Sequence, residues 1–200
     1  MEITESSPWG SFALVSYIPD PLGPFFQELR RALPGDESPQ PHITILPPRP
    51  LTIPVEAASE QAREILVHFR AFEVELSEVR CFPETSVLYL DVGEGSETLY
   101  ALHAALNAND LKHLEQFDFR PHLTLSGPIP AAGLGAAQQQ AEKAWSGSGY
   151  ASRFLLSELV CLWLSPEGGV GEWQRLWSQG LQPREAAPAA SASAATGQRY

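Results

Sequence analysis

Apolar and polar positions along the chain switch between a period of about two and a helical period, and the whole order of switches occurs twice. FALVSYI (12–18) is an apolar run of strand length, and PLGPFFQELRRAL (21–33) carries apolar residues at helical spacing behind prolines, which open helices more readily than they continue them. PHITIL (41–46) returns to alternation. The proline-rich PPRPLTIP that follows reads as a loop. The segment from Val55 to about Phe69 has the Ala, Glu, Gln and Arg of a helix, and FEVELSEVRCF (72–82) alternates as a half-buried strand does. The order then recurs: SVLYLDVG (86–93) as a strand, SETLYALHAAL (96–106) as a helix, RPHLTLSG (120–127) as a strand, a helix over about 131–146 and a strand over about 151–164. GEWQRLW (171–177) would close the second half with a further strand.

Arithmetic supports a duplication. His122 stands 80 residues after His42 and Thr124 stands 80 residues after Thr44; LSELVC (156–161) follows LSEVRC (76–81) by the same offset, which also makes Cys161 the counterpart of Cys81. Two separate matches at one offset, without a gap, point to a duplicated unit. Two such units facing each other across a pseudo-two-fold axis would bring the motif strands together and leave a cleft between two lobes. The expectation is one domain over residues 10–183, built from two pseudo-symmetric lobes.

Composition narrows the class. With 44% hydrophobic residues and five tryptophans the chain can bury a sizeable core, and no apolar run approaches the roughly 20 residues needed to cross a bilayer. The first residues, MEITESSPWG, lack the basic and apolar segments of a secretory signal, so the expected setting is the cytoplasm, without a membrane partner. The two cysteines have neither metal-site nor disulfide-scaffold spacing and read as reduced core residues. A formal charge of -11 argues against a grip on DNA or long RNA through many phosphates, since that affinity rests on clustered Lys and Arg. The tail from Arg184 to Tyr200, REAAPAASASAATGQRY, holds no large aliphatic residue and is expected to be disordered. The protein is expected to be a monomer.

The candidate chemistry lies in the repeated His-x-Thr. On a strand, His42 and Thr44 share one face while Ile43 and Ile45 share the other; His122 and Thr124 stand likewise against Leu123 and Leu125. Two imidazoles and two hydroxyls converging on one point supply a base, an acid and donors to the non-bridging oxygens of a phosphodiester. An unperturbed histidine pKa of about 6.5 allows one ring to be neutral and the other charged near neutral pH. Two histidines without paired carboxylates are a poor ligand set for zinc or magnesium, so no metal and no other cofactor is expected. Arg120 keeps parity with His122 and Thr124 and is a second candidate for the phosphate; its counterpart is Gln40. Arg49 stands in the proline-rich segment that would rim the cleft, a third candidate cation. Tyr17 and Tyr89, on strands taken as equivalent, are candidates for stacking a base, with core packing as the plainer use. His68, His103 and His113 read as surface or internally satisfied residues.

PHITI and PHLTL, each a His-x-Thr strand in a duplicated half, resemble the two-histidine phosphoesterase superfamily, and within it the bacterial 2'-5' RNA ligase-like RNA 2',3'-cyclic phosphodiesterases. The resemblance extends over about residues 10 to 180. It implies an α+β fold with two lobes of mostly antiparallel sheet, helices outside and the motifs lining a central cleft. It implies His42 and His122 as catalytic, with His122 the base and His42 the acid in hydrolysis, and Thr44 and Thr124 as phosphate-binding. The implied reaction is hydrolysis of a 2',3'-cyclic phosphate to a 2'-phosphate, with reversible 2'-5' ligation in some members. Unlike many relatives, this chain runs from HITIL into PPRP and is acidic overall. The expected substrate is therefore an RNA 3' end or a small cyclic nucleotide. The rival class is a protein of the same fold that binds a nucleotide or terminal phosphate without turning it over.

Overall fold

The alternating and helical segments form the elements that their periods predict. The computed structural model describes residues 7–35, 40–167 and 172–184. Among the described residues the chain runs β1 (Ser11–Tyr17), α1 (Leu22–Ala32), β2 (His42–Pro50), α2 (Val55–Leu66), β3 (Phe72–Cys81), β4 (Val87–Val92), α3 (Ser96–Leu106), β5 (His122–Pro128), α4 (Ala131–Ser146), β6 (Arg153–Leu156), β7 (Glu158–Leu164) and β8 (Gln174–Gly180). Prolines 21, 54 and 130 stand immediately before α1, α2 and α4, where their missing N–H costs no helical hydrogen bond. Gly95 precedes α3 at φ 87°, and a Cβ there would lie 2.4 Å from the carbonyl oxygen of Glu73. Residues 185–200, which hold nearly all of the expected disordered tail, lie outside the described residues.

The eight strands form one antiparallel sheet in the order β6-β3-β4-β5-β2-β1-β7-β8. Its symmetry is that of the sequence repeat. Ile43 of β2 pairs with Leu123 of β5, and Val74 of β3 pairs with Phe154 of β6. In each case the partners differ by the repeat offset, 123 minus 43 and 154 minus 74 both being 80. The pseudo-two-fold axis therefore passes through both pairings. Because only Ser157 separates β6, which pairs with β3, from β7, which pairs with β1, the sheet curls until its two sides meet.

Three sequence expectations change here. The strand expected over 151–164 breaks at Ser157, the counterpart of Ser77, where the β3–β4 register slips between Leu76 and Val79. A strand that serves both lobes must bend between them, and irregular register is how a strand bends. Neither lobe belongs to one repeat: β3 lies beside β4, and β7 beside β1. Finally, PPRP is strand rather than loop, since β2 continues to Pro50 and pairs with β1 through Arg49 and Pro50. Beyond Ile43 no residue of β2 pairs with β5, so that side of β2 is an open edge that does not require the missing proline N–H groups.

Ile43, Ile45, Leu123 and Leu125 are fully buried, in one core with Phe26 of α1 and Leu99, Leu102 and Leu106 of α3. Each such side chain stabilises the fold by about 1.5–3 kcal/mol through apolar burial. Helix α1 packs on β5 and α3 on β2, so each repeat covers the other's motif strand. Among the described residues no helix is long and apolar enough to cross a membrane. Leu123→Ala should cost about 2–5 kcal/mol in urea denaturation, whereas His122→Ala, one residue earlier on the opposite face, should cost about 1 kcal/mol or less.

Candidate active site

Antiparallel register fixes the arrangement of the motif residues. With Ile43 opposite Leu123, His42 falls across from Thr124 and Thr44 across from His122. All four are half-buried, while the apolar residues between them are fully buried. The two histidines stand on a diagonal, a spacing of about 7 to 8 Å across an antiparallel pair, which leaves room for one phosphate between the rings.

Both rings are held by the same local device. Nδ1 of His42 lies 2.8 Å from the carbonyl oxygen of Gln40, and Nδ1 of His122 lies 2.7 Å from that of Arg120. A carbonyl only accepts, so each Nδ1 carries the proton and each Nε2 keeps its lone pair in the neutral ring. Burial pulls the pKa of both imidazoles below 6.5, and the carbonyl that accepts from Nδ1 opposes this in each. The nearby charges differ. Arg30 and His122 add to the lowering at His42; at His122, Arg120 lowers and the Asp91 carboxylate raises.

The surroundings of the two rings differ as well. Asp91 of β4 pairs across from His122, and its structural counterpart is Tyr17 of β1, which pairs across from His42 and meets that ring edge-on at 6.1 Å. Tyr89 is opposite Thr124, as Val15 is opposite Thr44. Tyr17 and Tyr89 are thus not equivalent, and Tyr89, 2% exposed, is a core residue stacked on Phe82 at 4.0 Å. His122 leans edge-on against both Phe82 and Tyr89, at 5.0 and 5.5 Å.

Thr44 and His122 line a cleft of about 1030 Å³ that extends towards the 112–121 loop, α3 and the β3–β4 hairpin. His42 and Thr124 are not part of its lining, so the cleft opens on the His122 side of the motif pair. Arg120 lines the cleft, 2.8 Å from Asp91 and with its guanidinium 5.4 Å from the Tyr89 ring centre. Arg80 reaches the same carboxylate at 3.1 Å. Among the described residues no three His, Cys, Asp or Glu side chains converge as metal ligands would.

Arg49 is a correction. It is 2% exposed and does not line the cleft; its guanidinium donates to the carbonyls of Pro47 and Leu111 and to Asn107 Oδ1, and meets Glu115 at 2.5 Å. Burial draws its pKa down and the Glu115 carboxylate holds it up. Strand β2 loses its strict alternation after Thr44, where Ile45 and Leu46 are both buried and the register with β1 shifts, and Arg49 falls among the buried positions. There it anchors the loop after α3. Sequence reading missed Glu115 and Asn107 because each gains its role from a partner about 60 residues away. His103, expected to be either a surface or an internally satisfied residue, is the latter and completes the network: Nδ1–H donates to the Ile45 carbonyl at 2.8 Å, Nε2 lies 3.6 Å from Glu115, and the ring stacks on Phe119 at 3.9 Å.

A sequence model of the 2'-5' RNA ligase superfamily matches residues 18–167. The chain is 31% identical over 101 residues to a putative phosphoesterase of Geobacillus sp. (strain WCH70), a match that covers 46% of this chain and 57% of that protein. The chain thus spans little more than half the length of that curated relative. Among solved structures, E. coli LigT in apo form superposes with a TM-score of 0.59 at 15% identity, over 86% of this chain and 98% of LigT. Usb1 of Kluyveromyces marxianus superposes with a TM-score of 0.56 at 10% identity, over 85% of this chain and 98% of Usb1.

Replacing Arg49 by Met strands the Glu115 carboxylate, whose side chain is only 14% exposed, and should cost about 3–5 kcal/mol in urea denaturation. Replacing Glu115 by Met in the same chain should recover most of that loss; equal instability of the single and double variants would show that the pair is not coupled.

Proposed function

The chain belongs to the 2'-5' RNA ligase superfamily, and we propose that it is a phosphodiesterase that opens 2',3'-cyclic phosphates of RNA ends or small nucleotides to the 2'-phosphate without a metal. One observation carries the reading. Two imidazoles, each with Nδ1–H held by the carbonyl two residues back, share one face with two threonines across a single strand pairing. That is a complete set for in-line displacement at phosphorus: two Nε2 atoms to accept and donate protons, and two hydroxyls for the non-bridging oxygens. E. coli LigT, of the same fold, has been solved with 3'-AMP and with phosphate.

The asymmetry of the cleft supports an assignment of roles. A nucleoside fills the cleft on the His122 side and carries the leaving ribose oxygen with it, so water enters from the His42 side. His42 Nε2 takes a proton from water as its oxygen bonds to phosphorus; the bond from phosphorus to O3' breaks, and His122 Nε2–H protonates O3'. The products are a 2'-phosphate and a 3'-hydroxyl. Nearby charge does not separate the two rings: Arg30 and a charged His122 disfavour charge on His42, and Arg120, partly offset by Asp91, disfavours it on His122, so the assignment rests on the side from which the cleft opens. This is the reverse of the roles that the family resemblance implies. In the ligation direction the two exchange, by microscopic reversibility. Arg120 stands ready beside the phosphate, its charge shared with Asp91.

Hydrolysis of a nucleoside 2',3'-cyclic phosphate in EDTA is the test. The kcat/KM profile should be a bell. Its acid limb reports protonation of the base and its alkaline limb loss of the acid's proton, and since burial lowers both pKa values the maximum should lie below pH 6.5. His42→Ala and His122→Ala should each lose about 10²–10⁴-fold while remaining folded. Full turnover by either variant would overturn the scheme. Tight binding of a 2'-phosphate with no turnover would favour the binding protein instead.

A further inference from the structure

Resting on the phosphodiesterase reading, we infer that the substrate is a nucleoside 2',3'-cyclic phosphate bearing no other phosphate, and that carboxylates along the cleft turn away RNA ends. Arg120 is the one Arg or Lys among the described residues that line the cleft, against four carboxylates: Glu84, Asp91, Glu115 and Asp118. Glu115 is neutralised by the buried Arg49, and Asp91 is shared by Arg120 and Arg80. Glu84 and Asp118 are exposed and have no ion-pair partner among the described residues. They stand on different segments of the lining, one on the β3–β4 hairpin and the other on the loop before β5.

A strand of RNA leaving this cleft would carry a phosphate every few ångströms past those two carboxylates, with no cation to meet it. The net charge of -11 extends the same repulsion to longer range. A single cyclic phosphate held between His42 and His122 carries its one negative charge to the place where the imidazoles and Arg120 are, and no further. The rest of the cleft suits an uncharged nucleoside. Tyr100 and Phe117 line it while 46% and 54% exposed, flat apolar surface for a base.

The test compares adenosine 2',3'-cyclic phosphate with a six-nucleotide RNA ending in the same adenosine cyclic phosphate, between about 20 and about 200 mM salt, where screening shortens from well beyond the cleft to within it. The mononucleoside substrate should have the higher kcat/KM, by about tenfold or more at low salt. For the RNA, kcat/KM should rise with salt, opposite in sign to an enzyme that grips RNA by its phosphates. Glu84→Gln with Asp118→Asn should raise the RNA value by about three- to tenfold and flatten its salt dependence, leaving the mononucleoside value within about twofold. RNA turned over equally well or better, a rate on RNA that falls with salt, or an unchanged preference in the double variant would each overturn the inference while leaving the phosphodiesterase reading intact. Turnover of neither substrate by the folded wild type would overturn both.

Discussion

The pairing of Ile43 with Leu123 is the constraint on which the site depends. It is the one registered pair between β2 and β5, it lies on the pseudo-two-fold axis, and it is fully buried on the side away from the cleft. Because side chains alternate along a strand, burying Ile43 and Leu123 turns His42, Thr44, His122 and Thr124 to the other face together. A slip of one residue on either strand would put aliphatic side chains in the cleft and turn a histidine and a threonine into the core. The apolar positions of the motif therefore set the geometry of the polar ones.

What duplication supplies, local differences then modify. Both repeats lock Nδ1 of the histidine on the carbonyl two residues before it, using only backbone, so the device survives the change from Gln40 to Arg120. The side chains around the two rings have diverged: Tyr17 stands where the other half has Asp91, and Val15 where it has Tyr89. The two histidines are therefore alike in orientation and differently surrounded.

The cleft wall is built by burial rather than by strands. The position of the loop after α3 follows from Arg49, which is buried from β2 and satisfied by Asn107, the Leu111 carbonyl and Glu115. Such a cation costs much to desolvate and is tolerated only with every donor met, so the loop that meets those donors is held in one place. Phe119 stacked on His103 adds a second tie. Phe117 and Asp118 of the mouth are carried on that anchored segment.

The sequence by itself determined the elements, their duplication at an offset of 80, and the shared face of each His-x-Thr pair. These follow from local periodicity, and a strand's two faces are a property of its own backbone. It also determined the acidic character of the chain. Only the tertiary structure decided that β3 and β7 cross to the other repeat's side, that PPRP is an open strand edge, and that Arg49 is a buried anchor while Arg120 faces the cleft. Each of these turns on which distant strand or carboxylate a residue meets. An arginine near a strand end looks the same in sequence whether its partner is Glu115, about 60 residues away, or a phosphate.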